Sequence, residues 1–163
     1  MNTSPIIRPI SMEDNPILAE IIRTALSEFG ANKPGTVYFD PTTDALFELF
    51  QTPGSSYFVA EVDGRVVGGA GIFPTDQLPH GVAELVKMYL RKEFRGLGYG
   101  KLLVQHAEHF AKNMGYTGVY LESMPELSTA LSMYEKMGYT YLKAPMGNSG
   151  HTGCELWMFK ALD

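Results

Sequence analysis

The segment 91–110, RKEFRGLGYGKLLVQHAEHF, is the most informative part of the chain. It places Gly96, Gly98 and Gly100 between an apolar run and a stretch with the spacing of an amphipathic helix. Glycine allows sharp turns and close approach of a ligand to the backbone. A helix N-terminus binds anions, because its first N–H groups lack helical acceptors and it carries the positive end of the helix dipole. The segment therefore predicts a site for a phosphate or pyrophosphate, near the cations of Arg95 and Lys101.

Two well-known phosphate-binding motifs do not match this segment. The dinucleotide fingerprint is G-x-G-x-x-G, whereas Gly96 to Gly100 reads G-x-G-x-G. The P-loop requires four residues between its glycines and then Lys-Ser/Thr. Here three residues separate Gly96 from Gly100, and Leu102 follows Lys101. A different class of phosphate site is therefore indicated.

The order of the elements predicts an α/β fold on a mixed sheet. Asp63-Gly64, between two β-rich runs, is typical of a two-residue hairpin turn. Asp14 is expected to cap the first helix, with Pro16 in its first turn. The predicted strands are 6–10, the hairpin within 55–73, 81–90, 117–124, 139–144 and 154–162, and the predicted helices are 12–29, 43–50, one after the glycines, and 128–137.

Composition indicates one globular domain over residues 1–163, since 45% of the residues are apolar and 19% are charged. The net charge of −5, without a large basic cluster, argues against nucleic-acid binding. No run resembles a signal peptide or is long enough to cross a bilayer, so no membrane association is expected. Cys154 is the only cysteine, which excludes an intrachain disulfide and is typical of a cytoplasmic protein.

Two segments carry a resemblance to a known family. Residues 95–100 fit the pattern R-x-x-G-x-G within AELVKMYLRKEFRGLGYGKLL, and ALSMYEKMGYTYL follows at residues 130–142. Together with the element order across nearly the whole chain, they resemble the GNAT superfamily of N-acetyltransferases. The resemblance implies an α/β (α+β) GNAT fold, with a central mixed, mostly antiparallel sheet of about six to seven strands flanked by about four helices.

The resemblance also implies acetyl-CoA as the acyl donor and no metal. The acetyl group would pass directly, in a ternary complex, to a primary amine of a small molecule or peptide. The backbone of Met88 and Leu90 would pair with the pantetheine arm. The residues expected around the pyrophosphate are Arg95, Gly96, Leu97, Gly98, Tyr99, Gly100 and Lys101.

Tyr134 and Glu84 are the expected catalytic residues. In the family the helix tyrosine points at the cofactor sulfur and can protonate the departing thiolate, and a phenol with an ordinary pKa of about 10 is protonated at neutral pH. Some members place a general-base glutamate at the position of Glu84. Strict alternation would put it beside Val86, Met88 and Leu90, where apolar neighbours would raise its pKa. The alternatives are a core aromatic for Tyr134 and a solvated or ion-paired carboxylate for Glu84.

Acceptor contacts are expected from two polar loops. The candidates are Asn32, Lys33 and Tyr38 in the first, and Asn148, Ser149 and His151 in the second. Many family members carry a cofactor-contacting Asn seven residues before the helix tyrosine, where this chain has Leu127. A non-catalytic acyl-CoA sensor therefore remains the alternative to an enzyme, and a homodimer is plausible because many relatives pair.

Two histidines could suggest a metal site. His106 and His109 lie about one turn apart on the predicted long helix, but no third ligand is apparent nearby. A solvated helix face is the expected outcome.

Overall fold

The computed structural model describes residues 4–163, so the first three residues of the predicted domain lie outside it. A seven-stranded sheet forms the centre of this part of the chain, in the order β1-β2-β3-β4-β5-β7-β6. Every neighbouring pair is antiparallel except β4 and β5, which are parallel. The strands are β1 (Ile6–Pro9), β2 (Ser56–Val62), β3 (Arg65–Phe73), β4 (Val82–Leu90), β5 (Gly118–Ser123), β6 (Thr140–Tyr141) and β7 (Leu156–Ala161).

Four α-helices of the described chain cover the sheet on both faces. They are α1 (Asn15–Glu28), α2 (Leu46–Leu49), α3 (Tyr99–Asn113) and α4 (Ser128–Lys136). α3 and α4 share one apolar core with the sheet, and α1 and α2 share the other. The predicted fold class, a mixed and mostly antiparallel sheet flanked by helices, is therefore confirmed.

Local predictions were accurate where sequence pattern alone decides the structure. The hairpin turn has left-handed φ angles at Asp63 (51°) and Gly64 (78°), as a two-residue turn requires.

The helix predicted over 43–50 is broken, because Ala45 has a φ of −135° and only Leu46–Leu49 is α-helical. The apolar spacing after the glycines predicts one buried helix face at Leu103, Ala107, Phe110, Ala111 and Met114. In α3 Leu103, Ala107 and Ala111 are buried and Phe110 is half-buried, but Met114 is 52% exposed.

Asp14 occupies the N-cap position of α1, as predicted, but it does not cap the helix through its side chain. The carboxylate instead accepts hydrogen bonds from both terminal nitrogens of Arg8, at 2.8 and 2.9 Å, and from the Ser11 amide at 2.8 Å. It therefore ties β1 to the start of α1.

A bulge interrupts β4 at Lys87. Tyr89 pairs with Gly69, but Val86 pairs with Gly71, so β4 has one residue more than β3 between these pairs. Lys87 takes a left-handed φ of 55°. The alternation of side chains is reversed there, and the prediction that Glu84 shares a face with Met88 and Leu90 is wrong. Met88 and Leu90 pack instead in the core beneath α3 and α4.

Tyr57 supports this bulge from β2. Its hydroxyl donates a 2.7 Å hydrogen bond to the carbonyl oxygen of Lys87. A Cβ atom at Gly69 or Gly71 would overlap the Tyr57 ring, so these two glycines of β3 let the ring lie across the sheet. The position of Lys87 is thus determined by residues on β2 and β3.

The sheet opens between its two parallel strands. β4 and β5 pair at Val82–Gly118, Ala83–Val119 and Glu84–Tyr120, and no pairing is found beyond Glu84 in the part of the chain described. The gap leads toward the N-termini of α3 and α4. None of the helices within residues 4–163 has the length and apolar character needed to span a membrane.

Candidate active site

A cleft of about 360 Å³ occupies the gap between β4 and β5, and we call it the wide cleft. The bulged part of β4 and the end of β5 form its sides, and the glycine loop and α4 close it. Its walls include Leu85, Lys87, Met88, Tyr89, Leu90, Arg95, Gly96, Gly98, Gly100, Lys101, Leu121, Glu122, Ser123, Leu127 and Tyr134. The structure therefore brings together most of the residues predicted to bind the cofactor.

The glycine loop has the geometry expected of an anion site. Gly96 and Gly98 have φ angles of 76° and 86°, which L side chains rarely adopt, and a Cβ at either would face open space. Gly98 is the N-cap of the 15-residue α3. The first helical hydrogen bond runs from the Leu102 amide to the Gly98 carbonyl, so the amides of Gly100 and Lys101 have no helical acceptor. These donors lie at the end of the wide cleft.

Gly100 has different surroundings from the other two glycines. A Cβ there would lie 3.4 Å from Met133 Sδ, 3.5 Å from Leu90 Cδ1 and 3.7 Å from Met88 Sδ. These are ordinary van der Waals distances, so a Cβ would fit at this position, where α3 packs against β4 and α4.

The side chains around the glycine loop make contacts within the protein. Arg95 donates to the Leu90 carbonyl from Nε at 3.1 Å and from Nη2 at 2.8 Å, and Nη2 lies 2.9 Å from Glu28 Oε1. Its guanidinium thus braces the exit of β4 while lining the cleft. The Tyr99 ring is buried and stacks on Phe94 at 6.2 Å, and Leu97 is exposed. Contact of Leu97 and Tyr99 with the cofactor, through their backbone amides, stays a prediction.

Tyr134 lies on the α4 wall of the wide cleft. Its ring meets that of Tyr139 edge-on at 5.7 Å, and its hydroxyl makes no hydrogen bond to the residues described. Burial raises the pKa of this phenol above its ordinary value. Tyr134 is therefore a protonated donor with its hydroxyl available to a ligand, although the same residue also fills core space.

A second cavity, of about 230 Å³, lies at the other side of β4, and we call it the polar cavity. It contains both charged and apolar groups. Its walls are Asp40, Thr42, Leu49, Phe73, Thr75, Asp76, Glu84, Val86, Lys87, Asn148, Ser149 and His151. Lys87 lines both the wide cleft and the polar cavity, so the bulge separates the two spaces.

Glu84 is a buried carboxyl group, with only 3% of the residue exposed. Burial raises its pKa to about 7, an effect that the nearby Glu122 charge reinforces and that a hydrogen bond from Thr75 opposes. The Thr75 hydroxyl lies 2.5 Å from Glu84 Oε1. A carboxyl that titrates near neutral pH can exchange a proton with an amine in the polar cavity.

Several polar residues of the site were missed in the sequence. Asp40 accepts hydrogen bonds from Thr42 and lies 2.9 Å from His151 Nε2, and these contacts outweigh burial and bring its pKa to about 2. Lys87 is buried, and burial lowers the pKa of its ammonium, an effect opposed by Asp40 and Glu84. In the sequence, the feature that could have indicated this site is a lysine in the middle of the apolar run GVAELVKMYL.

A further polar group lies where β5 borders the gap. Glu122 accepts hydrogen bonds from the hydroxyls of Tyr120 at 2.7 Å and Ser149 at 2.5 Å. The buried Ser123 hydroxyl has no partner among the described residues. Both residues line the wide cleft and a small pocket of about 40 Å³ that also reaches Glu84 and Lys87.

The structure separates the predicted acceptor residues into two groups. Asn148 and His151, with Ser149, lie on the wall of the polar cavity. Asn32 and Tyr38 line neither the wide cleft nor the polar cavity. Lys33 forms an ion pair with Glu126, and the Tyr38 carbonyl accepts a hydrogen bond from Arg23.

Three further residues considered in the sequence, Leu127, Cys154 and His106, lie in surroundings typical of a structural role. Leu127 lines the wide cleft and offers no polar group there. Burial raises the pKa of the Cys154 thiol to about 12, so it is protonated at neutral pH. His106 bonds through Nδ1 to the Leu102 carbonyl of its own helix. Within residues 4–163, no cluster of three or more His, Cys, Asp or Glu side chains is arranged to hold a metal ion.

An open parallel pair next to a glycine loop at a helix N-terminus defines a class of acyl-CoA-dependent transferases, and comparisons with known proteins support this assignment. The model of the Acetyltransferase (GNAT) family matches residues 18–139. The chain belongs to this family and is an acyltransferase of the N-acetyltransferase type. It is 38% identical to the uncharacterized N-acetyltransferase YjgM of Escherichia coli K12 over 161 residues, covering 98% of this chain and 96% of that protein.

Solved structures show the same fold. A GNAT-family acetyltransferase from Staphylococcus aureus superposes with a TM-score of 0.87 at 19% identity, over 98% of this chain and 100% of the other. The PaiA N-acetyltransferase of Thermoplasma acidophilum, in complex with coenzyme A, gives a TM-score of 0.76 at 22% identity, over 98% and 99% of the two chains.

Proposed function

We propose that this protein transfers the acetyl group of acetyl-CoA directly to the primary amine of a small molecule in a ternary complex. One observation carries the proposal. Glu84, whose pKa is about 7, and the Tyr134 hydroxyl lie on adjoining spaces that meet at Lys87. Amine acylation requires a base that takes a proton from the amine and an acid that gives a proton to the leaving group.

The wide cleft fits the acyl donor. Acetyl-CoA supplies the activated thioester and a pyrophosphate that requires anion recognition. The Gly100 and Lys101 amides and the open space at Gly96 and Gly98 suit the pyrophosphate. The unpaired edge of β4, at Met88 and Leu90, suits the extended arm of the cofactor, as an added strand would. The coenzyme A complex of the PaiA neighbour supports this assignment.

Glu84 would prepare the acceptor. An alkylamine with a pKa of about 10.4 is mostly protonated at neutral pH and must lose a proton before it can attack. The ionised Glu84 carboxylate takes that proton, directly or through a water. Thr75 holds the carboxylate in place through its hydroxyl. The small pocket is lined by Glu84 and by Glu122 and Ser123 of the wide cleft, so the amine nitrogen would meet the acyl carbon at this place.

Tyr134 would complete the transfer. The amine nitrogen forms the new bond to the acyl carbon as the carbon–sulfur bond breaks, and the sulfur leaves with the electron pair. The Tyr134 hydroxyl donates its proton to that sulfur, and the second proton of the attacking nitrogen passes to solvent, from which the phenolate is reprotonated. Burial raises the pKa of the phenol, so it is protonated at neutral pH before the transfer.

A screen of amines tests the proposal. Purified protein is mixed with acetyl-CoA and small primary amines, including amino acids and peptides, and free thiol release is followed. Turnover with at least one amine, together with acetyl-CoA-induced thermal stabilisation, is the expected result. Stabilisation without turnover on any amine would instead favour the sensor alternative, for which Leu127 gives the main argument.

A further inference from the structure

Lys87 is a buried cation whose hydrogen-bonding capacity is not met within the described chain. Its side chain is only 3% exposed, and its Nζ lies 3.8 Å from Asp40 Oδ2, beyond hydrogen-bond distance. An ammonium has three donors, and burying it without close partners is costly. The bulge and the Tyr57 hydrogen bond nevertheless hold Lys87 in this position.

Asp40 is not free to approach Lys87 more closely. Its Oδ1 accepts from the Thr42 amide at 2.9 Å and from the Thr42 hydroxyl at 2.7 Å. Its Oδ2 lies 2.9 Å from His151 Nε2. The carboxylate is therefore held by other partners, and the ammonium retains donors for a ligand.

The ammonium lies on the acceptor side of the bulge. Asp40, its nearest carboxylate, lines the polar cavity and not the wide cleft. The same cavity contains the Glu84 carboxyl group and an apolar wall of Leu49, Phe73 and Val86. With one buried cation, carboxylates and an apolar surface in about 230 Å³, it complements a small zwitterion with an apolar substituent.

We propose that Lys87 binds the carboxylate of the acceptor, and that the acceptor is an α-amino acid with an apolar side chain. The ammonium group of the amino acid faces Glu84, its carboxylate faces Lys87, and its side chain contacts Leu49, Phe73 and Val86. A peptide N-terminus lacks the adjacent carboxylate, and a diamine would place a second cation near Lys87. This inference rests on the proposed function, since it specifies the acceptor of that reaction.

Binding to matched ligand pairs tests the inference without requiring turnover. The pairs are L-leucine with 3-methylbutylamine, L-methionine with 3-(methylthio)propylamine, and L-phenylalanine with 2-phenylethylamine. Isothermal titration with and without CoA gives the ratio of dissociation constants within each pair. The proteins are the wild type, Lys87→Met, and Lys112→Met as a control of the same chemical change on the exposed surface of α3.

At least one amino acid is expected to bind the wild type about tenfold or more tightly than its matched amine, as a charge-assisted hydrogen bond allows. Lys87→Met should abolish this preference, and Lys112→Met should retain it. An equal affinity within every pair, no binding of any amino acid, or a preference that survives Lys87→Met would overturn the inference. CoA-induced stabilisation checks folding of the variants, and Lys87→Gln replaces Lys87→Met if that variant does not fold.

The acetylation screen separates the two levels of the proposal. Turnover on amines without any effect of the carboxylate or of Lys87 would refute the inference and leave the acetyltransferase function intact. A carboxylate preference that depends on Lys87, without turnover on any acceptor, would instead refute the enzyme and retain the binding site.

Discussion

The Thr75 hydroxyl donates a 2.5 Å hydrogen bond to Oε1 of Glu84, across the connection between β3 and β4. This bond favours the ionised form of the carboxyl group, whereas burial favours the neutral form. Burial is the larger effect, and the resulting pKa is about 7. Glu84 thus titrates in the range where a general base is most effective.

The activity is expected to depend on the ionisation of Glu84. The kcat/KM for an amine acceptor should rise as the pH passes through about 7, because the carboxylate is the form that accepts a proton. Glu84→Gln should lower kcat by about 10²- to 10⁴-fold. Thr75→Val should move the inflection to higher pH, since it removes the bond that favours ionisation. An unchanged pH profile in both variants would exclude Glu84 as the base.

The same carboxyl group should reduce the stability of the protein at alkaline pH. Its pKa is raised from the ordinary 4.5 to about 7, so stability is lost as the pH rises through this window. Glu84→Gln should therefore raise the free energy of unfolding at pH 8 by on the order of 3 kcal/mol, which is seen as a higher melting temperature. The same substitution should have little effect at pH 4. Thermal melts at the two pH values measure this difference. A variant that is less stable at pH 8 would contradict the predicted sign.

Tyr134→Phe should separate chemistry from binding. The substitution removes a hydroxyl that makes no hydrogen bond to the described residues, so folding and acetyl-CoA affinity should change little. The kcat should fall by about 10²-fold or more if the hydroxyl protonates the leaving thiolate. Stopped-assay kinetics and acetyl-CoA-dependent melts provide the two readouts.

Tyr139→Phe is the matched control for Tyr134→Phe. The Tyr139 hydroxyl donates to Glu108 Oε2 at 2.7 Å, and its ring contacts that of Tyr134. Its removal should cost about 1–3 kcal/mol of stability, as expected for a hydrogen bond to a charged group, while kcat is retained. An equal loss of kcat in the two variants would indicate a packing role for Tyr134.

Gly98→Asp should abolish acetyl-CoA binding. The substitution forces a φ of 86° on a side chain and places a negative charge where the pyrophosphate is expected. Wild-type protein at a hundred times the dissociation constant should gain about 2.7 kcal/mol from the ligand. The melting-temperature shift on acetyl-CoA addition should disappear in the variant.

Gly115→Asp provides the comparison at the other end of α3. Gly115 has a similar φ of 91° and equally open surroundings, but it lies outside the clefts. Both variants should lose stability through backbone strain, and only Gly98→Asp should lose the acetyl-CoA shift. Loss of the shift in both, or in neither, would contradict the assignment of the glycine loop.

The contact between Arg8 and Asp14 should contribute to stability in a pH-dependent manner. Burial alone would raise the pKa of Asp14, but the hydrogen bonds from Arg8 and Ser11 lower it below its ordinary value. Arg8→Met should cost about 1–3 kcal/mol at pH 7, because it removes the fork that pairs this buried carboxylate. The difference from wild type should shrink as the pH falls through the range where Asp14 becomes protonated.

Arg23→Met tests whether burial of the carboxylate accounts for the loss of stability predicted for Arg8→Met. Arg23 forms a similar fork with Asp44, at 2.6 and 2.9 Å, but the Asp44 side chain is 62% exposed. Its loss should cost under about 1 kcal/mol, as is usual for surface pairs. Denaturant unfolding of the two variants at pH 7 and pH 4 measures both effects.

Much of the fold could be predicted from short stretches of the chain. The Asp63-Gly64 turn and the glycine loop before α3 depend on local backbone requirements, which are visible in any single sequence. The R-x-x-G-x-G motif and the later tyrosine segment indicated the family, which the family model and relatives then confirmed.

The sequence by itself thus determined the family, the order of the elements and the position of the glycine loop at the N-terminus of α3, because each depends on neighbouring residues. Only the tertiary structure decided the arrangement of the polar cavity. The bulge at Lys87 results from pairing with β3 and from the Tyr57 hydroxyl on β2, so strict alternation along β4 gave the wrong face. Asp40 and His151 are 111 residues apart, and only folding of the sheet brings both to Lys87. Such contacts between distant residues leave no periodic pattern in the sequence.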